Sequence, residues 1–338
     1  MIYGELNERY RLKAVQIDPN GFCNAGCWFC PVGHVGNPDL GKTDMPIELF
    51  EDIIVQLKNG RGKFVNPLFS FFYSAHYNEI LLYKYFDEML EMLRKQKIQT
   101  YILSNGVALT KSKTDKIYEY KDVIRGILLN IPSADEESWA KAVNMNKGLF
   151  KKVMSNVEYA YNKLDHFVSK NKFHIQINGV DHLSLTSNDG WVDMLENAPD
   201  INLDPENGDL NSSFVKMKSM FPNAFVYKYN QIYDRAGKLD ELKVFTNRIA
   251  IDKMFDIKDK KVIGCTGGIQ HRSRTNEWVH INANGDIFLC CDDFDFVTIY
   301  GNLKEKSLEE LWFSKERQDS ISNAQNSICR NCSAAVWA

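Results

Sequence analysis

The stretch Cys23-Asn24-Ala25-Gly26-Cys27-Trp28-Phe29-Cys30 decides how the rest of this chain is interpreted. Its cysteines have the spacing C-x3-C-x2-C and follow an apolar-rich run at residues 12–17 that predicts a strand. Three thiolates on one short loop can hold three irons of a cubane cluster and leave the last iron without a protein ligand. A structural zinc site needs a further protein ligand, so the loop favours an open cluster over a zinc knuckle or a disulfide.

Composition limits the alternatives. The chain has 338 residues, of which 44% are hydrophobic and 25% charged, which is typical of a globular protein with one or two domains. The net charge of −3 gives no basic field for nucleic acid, and no long uncharged apolar run predicts a membrane span. The N-terminal residues lack a signal peptide pattern, so we expect a cytoplasmic enzyme. The eight cysteines fall in two groups, at 23–30 and 265–332, which suggests metal binding more than a disulfide framework.

Apolar runs and amphipathic stretches alternate between the two cysteine groups. Strands are predicted at 12–18, 67–73, 99–104, 124–131, 172–178 and 223–230. Helices are predicted at 46–58, 79–96, 111–119, 135–143, 148–164 and 208–220. This alternation predicts an α/β fold with a parallel sheet, whose active site lies at the carboxyl ends of the strands.

The cysteine loop resembles that of radical S-adenosylmethionine (SAM) enzymes, including the aromatic Phe29 before the last cysteine. The resemblance implies that the open iron of a [4Fe–4S] cluster, held by Cys23, Cys27 and Cys30, binds the amine and carboxylate of SAM. One electron then cleaves SAM to a 5′-deoxyadenosyl radical that takes a hydrogen atom from substrate. It also implies a partial (β/α)6 barrel, which the six strand–helix units fit, and an external one-electron reductant such as flavodoxin or ferredoxin.

The resemblance extends to the segment after the second predicted strand. Radical SAM enzymes carry a Gly-Glu or Asn-Glu-Pro type motif there, and this chain has Tyr77-Asn78-Glu79. Glu79 is the candidate acceptor for the methionine amine, because a carboxylate forms charge-assisted hydrogen bonds with it. The chain departs from the pattern at Ile80, where proline is common. The alternative is an ordinary glutamate in the first turn of a helix.

Polar residues also follow the next two predicted strands. The stretch Ser104-Asn105-Gly106 is similar to the family's Thr-Asn-Gly and is expected to contact the cofactor, although a simple turn explains it equally well. Asn130 and Ser133 lie where such enzymes often contact the ribose or carboxylate of SAM. Ser133 is alternatively the N-cap of the helix that starts near Asp135.

Three more candidates come from the last strands of the predicted barrel. Gln176 and Asn178, near the end of the fifth strand, are polar residues expected in the interior, where they meet substrate or cofactor. Arg235 belongs to an Arg-Ala-Gly element similar to one in relatives with a C-terminal cluster domain. Its guanidinium suits a carboxylate, and a surface ion pair is the alternative.

The C-terminal part differs in character. A charged segment at 238–262 predicts a boundary, so we expect a barrel domain at 1–240 and a small α+β domain at 241–338. Residues 278–290 predict a hairpin with an Asn-Gly turn, and a helix follows at about 307–317. Together with the terminal C-x2-C, these features resemble the SPASM/twitch extension of radical SAM enzymes.

The C-terminal extension contains five cysteines, and a four-iron cluster needs four ligands. The resemblance therefore implies the twitch form with one auxiliary [4Fe–4S] cluster, whose assigned ligands are Cys265, Cys290, Cys329 and Cys332. Neighbouring residues of a strand point to opposite faces, so Cys290 and Cys291 are not expected to face the same cluster, and which of them is the ligand stays open. A zinc site with four cysteines is the alternative for the region.

The two clusters lead to one preferred reaction. We expect abstraction of hydrogen from a small polar substrate or a peptide, followed by transfer of an electron to the auxiliary cluster, which makes the enzyme a dehydrogenase. The first alternative is an epimerase in which Cys291 returns a hydrogen atom to the substrate. The competing interpretation of Cys291 is a buried free cysteine without a catalytic role. Maturation of a ribosomal peptide is the second alternative. A non-enzymatic electron-transfer protein does not need the open iron of the loop.

Overall fold

The computed structural model describes residues 11–74, 76–178, 210–229, 234–242, 260–265, 274–332 and 334–338. Its centre is a parallel sheet in the order β2 to β6, preceded along the chain by β1 (Ala14–Ile17). The strands are β2 (Phe71–Phe72), β3 (Gln99–Ser104), β4 (Ile124–Asn130), β5 (Phe173–Asn178) and β6 (Phe225–Tyr229). As described, this sheet is open rather than closed, and the fold is a partial α/β barrel.

Helices connect these strands. They are α1 (Val32–Val35), α2 (Ile47–Asn59), α3 (Phe86–Gln96), α4 (Lys111–Glu119), α5 (Glu136–Val143), α6 (Leu149–Lys163), α7 (Asp165–Val168) and α8 (Leu210–Met220). Burial alternates along β3, where Thr100, Ile102 and Ser104 are buried and the residues between them are half-buried. One face of the sheet therefore packs in the core, and the other face borders the cavity described below.

The C-terminal part continues the same sheet. Its elements are α9 (Lys238–Glu241), β7 (Val262–Cys265), α10 (Arg274–Glu277), β8 (Trp278–Ile281), β9 (Asp286–Phe288), β10 (Gly301–Asn302), α11 (Leu308–Trp312), α12 (Lys315–Asn326) and β11 (Ala335–Trp337). Strand β8 pairs in parallel with β1, with Ala14 opposite Trp278, and β1 meets β2 through a bridge between Gln16 and Tyr73. The hairpin of β8 and β9 therefore extends the sheet beyond β1, while β7 and β11 pair separately.

The predicted strands are confirmed, and so are most of the predicted helices. The predicted hairpin is confirmed as well, with Gly285 in the left-handed region at φ 86°. The predicted boundary at 238–262 lies mostly outside the described residues, as do the first two residues of the helix predicted at 208–220. Among the described helices, none has the length and apolarity that crossing a membrane requires.

Two segments that were predicted as single helices are each divided into two helices. The helix predicted at 79–96 is a 3-10 helix at Ile80–Leu82 followed by α3, because the chain turns extended at Tyr83. The Tyr83 hydroxyl donates to the carbonyl of Met45 at 2.7 Å and holds this break. The helix predicted at 307–317 ends at Trp312, and Ser314 caps a new helix by accepting from the amide of Arg317.

Candidate active site

A cavity of about 330 Å³ lies at the carboxyl ends of the parallel strands. All three cysteines of the N-terminal loop line it, so the loop that follows β1 and the ends of later strands meet at one place. Of the other residues predicted for the site, those that line the cavity are Tyr77, Asn78, Glu79, Ser104, Asn105, Asn130, Gln176 and Arg235. Gly106 and Ser133 are not among the lining residues.

The cysteine loop is fixed to the end of α5. The amide of Gly26 donates to the carbonyl of Val143 at 2.9 Å, and the amide of Trp28 donates to that of Ala142 at 3.2 Å. Within the loop, the amide of Cys30 donates to the carbonyl of Cys27 at 3.0 Å. These bonds hold the thiols at the cavity wall on backbone that is itself anchored.

The loop thiols suit a metal cluster. Burial raises the pKa of Cys23 to about 12, and it also raises the pKa of Cys27 and Cys30. Thiolates in such a place need positive charge from a bound group. Among the described residues, the one trio of ligand atoms within 4.8 Å of one another is that of Cys290, Cys291 and Asp292. Cys23, Cys27 and Cys30 do not form such a trio, so their sulfur atoms are further apart. Tetrahedral zinc would bring sulfur atoms to about 3.8 Å from one another, and the loop therefore fits a cluster better than a single ion.

Glu79 is buried, with 2% of its surface exposed, and it is held by three donors. Its Oε1 accepts from the amide of Leu81 at 3.2 Å, while its Oε2 accepts from Ser104 Oγ at 3.1 Å and from the amide of Asn105 at 2.9 Å. Burial raises the pKa of Glu79 to about 7 although these bonds lower it. A carboxylate has about four acceptor sites, so one site remains for a donor in the cavity.

The turn Ser104-Asn105-Gly106 positions its neighbours. Ser104 serves Glu79 as described, and Asn105 Nδ2 lies 2.8 Å from Asn24 Oδ1 and 3.7 Å from Cys23 Sγ. Gly106 has φ 81°, and a side chain there would come within 3.1 Å of Val153. The turn therefore ties Glu79 to the cysteine loop, with Gly106 providing the backbone conformation.

Two amide oxygens, Oδ1 of Asn78 and of Asn130, are buried at the cavity without a hydrogen-bond partner. Unpaired buried acceptors are costly, so these oxygens fit hydroxyl or amino donors of a bound molecule. Ser133 lies elsewhere: its Oγ is 3.1 Å from Ser213 Oγ and accepts from the amide of Asp135. It is not the N-cap of α5, because Asp135 has that place and accepts from the amide of Ser138.

The polar wall at β5 contains Gln176 and Asn178, and both line the cavity. Gln176 accepts from Tyr227 Oη at 2.6 Å and donates to Asn178 Oδ1 at 2.7 Å, so both ends of its amide are engaged. Asn178 is the residue that Gln176 orients, and the two lie on the same face of the strand.

Aromatic rings connect this cavity to the C-terminal part. The ring of Tyr77 packs edge-on against Phe294, with centroids 4.7 Å apart, and Cys30 packs against the same small cluster. His76, which also lines the cavity, has its ring centroid 5.2 Å from that of Phe288. Burial is the main cause that lowers the pKa of His76 well below its usual range. The C-terminal part thus packs behind His76 and Tyr77, two residues that line the cavity.

Arg235 joins the two parts electrostatically. Its Nη1 donates to Asp292 Oδ1 at 3.0 Å, and its side chain lines the cavity. Arg235 and Ala236 both have φ 53°, a left-handed conformation that is costly for residues with a Cβ. Burial alone would raise the pKa of Asp292, but Arg235 and Arg274 outweigh it and hold that pKa below its ordinary value.

The C-terminal cysteines lie close to one another. Burial raises the pKa of Cys329 to about 12, with further contributions from the charges of Cys290 and Cys265. Burial, then Asp292 and Cys290, raise the pKa of Cys332. Cys265 Sγ accepts from the amide of Arg274 at 3.1 Å, and Cys290 Sγ lies 3.7 Å from Nη1 of the same residue. Four partly buried thiols grouped in this way fit the ligand set of a cubane cluster.

The backbone at Cys290 and Cys291 is not the regular strand that the sequence predicted. Strand β9 ends at Phe288, so the two cysteines lie in a bend, and their sulfur atoms are within 4.8 Å of each other. The alternation of a regular strand does not apply to them. Arg274 Nη1 lies 3.7 Å from Cys290 Sγ and 2.8 Å from Cys291 Sγ. Neither cysteine is among the described residues that line the cavity.

Comparison with known protein families identifies the class. A family model described as the radical SAM superfamily matches residues 17–171, and one described as an iron–sulfur cluster-binding domain, SPASM, matches residues 273–333. The chain belongs to the radical SAM superfamily and carries a C-terminal SPASM domain. SAM, the [4Fe–4S] cluster that binds it and an auxiliary [4Fe–4S] cluster are therefore its cofactors.

Solved structures share the fold. BtrN in complex with AdoMet and 2-DOIA has 16% identity and a TM-score of 0.55, over 95% of this chain and 93% of BtrN. Streptococcus suis SuiB bound to precursor peptide SuiA has 16% identity and a TM-score of 0.56, over 96% of this chain and 70% of SuiB. Native anSMEcpe with bound AdoMet has 16% identity and a TM-score of 0.52, over 95% of this chain and 86% of anSMEcpe. No curated protein matches the chain significantly.

Proposed function

We propose that this enzyme is a dehydrogenase that oxidises an alcohol carbon of a small polar substrate, with the auxiliary cluster as the electron acceptor. The observation that carries the proposal is the wall between the cavity and the C-terminal cysteines. Arg235 lines the cavity, and its Nη1 donates to Asp292 Oδ1 at 3.0 Å. A carboxylate oxygen of Asp292 lies within 4.8 Å of the sulfur atoms of Cys290 and Cys291. The Arg235–Asp292 ion pair therefore connects the substrate space to the second cysteine group.

The ligand assignments follow from the same arrangement. Cys23, Cys27 and Cys30 would hold the cluster that binds SAM, and Cys265, Cys290, Cys329 and Cys332 would hold the auxiliary cluster. In this proposal the barrel domain comprises residues 1–240 and the cluster domain residues 241–338. Cys290 is preferred over Cys291 as a ligand because of its Gly-x4-Cys spacing from Gly285.

The chain's own residues bind and orient. Glu79 accepts the amino group of SAM at the acceptor site that Leu81, Ser104 and Asn105 leave open. Asn78 and Asn130 accept hydroxyl or amino hydrogens through their unpaired Oδ1 atoms. The Gln176–Asn178 pair, fixed by Tyr227, provides a further polar contact at the wall formed by β5.

The bound cofactors supply a hydrogen-abstracting carbon radical at the first cysteine group and a one-electron acceptor at the second. The substrate loses a hydrogen atom from its carbinol carbon, a proton from its hydroxyl to water and one electron to the C-terminal cluster. A secondary alcohol thereby becomes a ketone. Tyr77 and Phe294 exclude water from the wall between the two groups, since both are buried.

Similarity in chain length supports a small substrate. The fold of this chain covers nearly the whole of BtrN, in a complex with AdoMet and 2-DOIA, but a smaller share of SuiB, in a complex with a precursor peptide. This observation favours a small molecule over a peptide.

The test uses anaerobically reconstituted enzyme with SAM, dithionite and a panel of polyols, amino-polyols and short peptides deuterated at the α- or carbinol carbon. We expect deuterium to appear in 5′-deoxyadenosine and a carbonyl product that hydroxylamine traps, with a polyol or amino-polyol as substrate. Turnover confined to the peptides would overturn the choice of substrate class. Cys332→Ala should retain cleavage of SAM and lose the carbonyl product.

A radical epimerase is the second candidate, because the sulfur of Cys291, which is not an assigned cluster ligand, lies within 4.8 Å of a carboxylate oxygen of Asp292, the partner of Arg235 at the cavity. In that reaction the Cys291 thiol would return a hydrogen atom to the opposite face of the substrate carbon. Incubation in deuterated water distinguishes the two reactions. An epimerase would incorporate solvent deuterium at that carbon without forming a carbonyl, and this result would overturn the dehydrogenase proposal.

A further inference from the structure

Arg274 contacts two of the four cysteines assigned to the auxiliary cluster. It is the first residue of α10, and its backbone amide donates to Cys265 Sγ at 3.1 Å. Its guanidinium Nη1 lies 3.7 Å from Cys290 Sγ. One residue therefore presents a backbone donor to one ligand sulfur and a side-chain donor to another.

The guanidinium is held in place from three sides. Nη1 is 3.3 Å from Asp292 Oδ2 and 2.8 Å from Cys291 Sγ, and the group lies 5.5 Å from the centre of the Trp278 ring. The side chain is 19% exposed. A fixed cation with little solvent around it acts more strongly on a neighbouring charge than a mobile surface cation does.

Other arginines near the site are directed elsewhere. Arg235 pairs with Asp292 and lines the cavity, and Arg330, although it lies between Cys329 and Cys332, donates to the carbonyl of Lys260 at 3.0 Å. Arg274, in contrast, lies within hydrogen-bond distance of the sulfur atoms of Cys265, Cys290 and Cys291.

We propose that Arg274 sets the reduction potential of the auxiliary cluster. Reduction adds one negative charge to a cluster, so donors and a cation at the ligand sulfurs stabilise the reduced form more than the oxidised form and raise the potential. A raised potential makes the cluster a better acceptor of one electron from the substrate. Arg274 is a positioning and tuning residue in this role, since it reaches the cluster through its ligands.

The inference rests on the ligand set of the proposed function but not on the oxidation itself, and the test keeps the two apart. The full chain is prepared with Cys23, Cys27 and Cys30 all replaced by alanine, so that the C-terminal cluster alone is present. Its reduction is followed by electron paramagnetic resonance at poised potentials, with iron content as a check of loading. Variants Arg274→Gln and Arg274→Lys are compared with Arg330→Gln, which removes the same charge from a side chain directed away from the sulfurs.

We expect Arg274→Gln to lower the ratio of reduced to oxidised cluster about tenfold at a fixed potential, which is about 59 mV for one electron. Arg274→Lys should give a smaller shift, because it keeps the charge and changes the donor geometry. Arg330→Gln should change the ratio less than threefold. Equal shifts in Arg274→Gln and Arg330→Gln, or no shift in either Arg274 variant, would overturn the proposal. If Arg274→Gln fails to load iron, the Lys variant decides by the same criterion.

Failure of the proposed function looks different. A tenfold shift together with no oxidation of any alcohol would support the role of Arg274 and remove the dehydrogenase reaction. A preparation that contains zinc and no paramagnetic signal after reduction would remove both.

Discussion

Arg235 donates a hydrogen bond from Nη1 to Oδ1 of Asp292 across 3.0 Å, and this ion pair links the cavity wall to the C-terminal cysteines. Asp292 also faces Arg274, so two arginines from different parts of the chain share one buried carboxylate. The pair therefore holds the two cysteine groups in a fixed relation.

Breaking this pair should destabilise the protein. Arg235→Gln removes one of the two cations that compensate Asp292, and we expect a loss of about 2–3 kcal/mol in the free energy of unfolding. The double variant Arg235→Gln/Asp292→Asn should lose less than the sum of the single variants. Urea unfolding of all four proteins gives the coupling energy, and additive losses would show that the pair contributes nothing.

Next to Arg235, a substitution at Ala236 is expected to stabilise the protein. Ala236 has φ 53°, which costs a residue with a Cβ about 1–2 kcal/mol. Ala236→Gly should therefore stabilise the protein by about 0.5–1 kcal/mol, after subtraction of the greater freedom of glycine in the unfolded chain. The measurement is the urea midpoint, and a lower midpoint would contradict the strain.

The cysteine loop gives the most direct functional test. Wild-type protein reconstituted without oxygen should hold about eight irons per chain, four for each cluster. Replacement of Cys23, Cys27 and Cys30 by alanine should leave about four irons and abolish reductive cleavage of SAM. Iron analysis and chromatography of 5′-deoxyadenosine measure both effects, and cleavage that persists would reject the loop as the site.

Cys290 and Cys291 form a matched pair of variants. Cys290→Ala should reduce the iron content to about four per chain and stop product formation, because a ligand is lost. Cys291→Ala should keep about eight irons, SAM cleavage and the carbonyl product. Loss of the C-terminal cluster in Cys291→Ala alone would exchange the two assignments, and a trapped radical with full iron would favour the epimerase.

The affinity for SAM should depend on pH through Glu79. Burial raises its pKa to about 7, so the carboxyl is mostly protonated at pH 6 and mostly ionised at pH 8. Only the ionised form can accept from every donor, so affinity should fall about tenfold as the pH is lowered from 8 to 6.

Glu79→Gln is the control, because glutamine does not ionise and the variant therefore loses the contribution of Glu79 to the pH dependence of the affinity. The variant binds SAM more weakly, but the titration of SAM itself is unchanged. Calorimetric titrations of both proteins across the range give the ratio of their affinities, and parallel pH profiles would exclude Glu79. The same raised pKa means that ionisation of Glu79 destabilises the cofactor-free fold as the pH rises through about 7, whereas below about 4.5 no such loss remains.

Periodicity in the sequence predicted the strands well because their two faces differ so clearly. The range predicted for β3 is the observed range, since buried and half-buried residues alternate strictly along it. The helices at 79–96 and 307–317 were predicted as continuous because apolar spacing continues across breaks that are set by other contacts, such as the hydrogen bond from Tyr83 to Met45. Local patterns do not contain such long-range bonds.

The site likewise has features that local sequence patterns predict and features that long-range contacts determine. Spacing and residue type predicted that Cys23, Glu79 and Asn105 belong together, since each follows a predicted strand, and all three line the cavity. The orientation of side chains was less accessible. Ser133 turns towards Ser213 in α8, and both ends of the Gln176 amide are engaged by neighbours, one of them on another strand. These partners are far away in sequence or depend on register.

The pairing of β1 with β8 has a consequence for biogenesis. Ala14 lies beside Trp278, so the strand that introduces the cysteine loop acquires its outer neighbour only after most of the polypeptide has been synthesised. Contacts between such distant segments form slowly during folding. Until then the outer side of β1 stays open, and the arrival of β8 completes the sheet from which the cysteine loop starts.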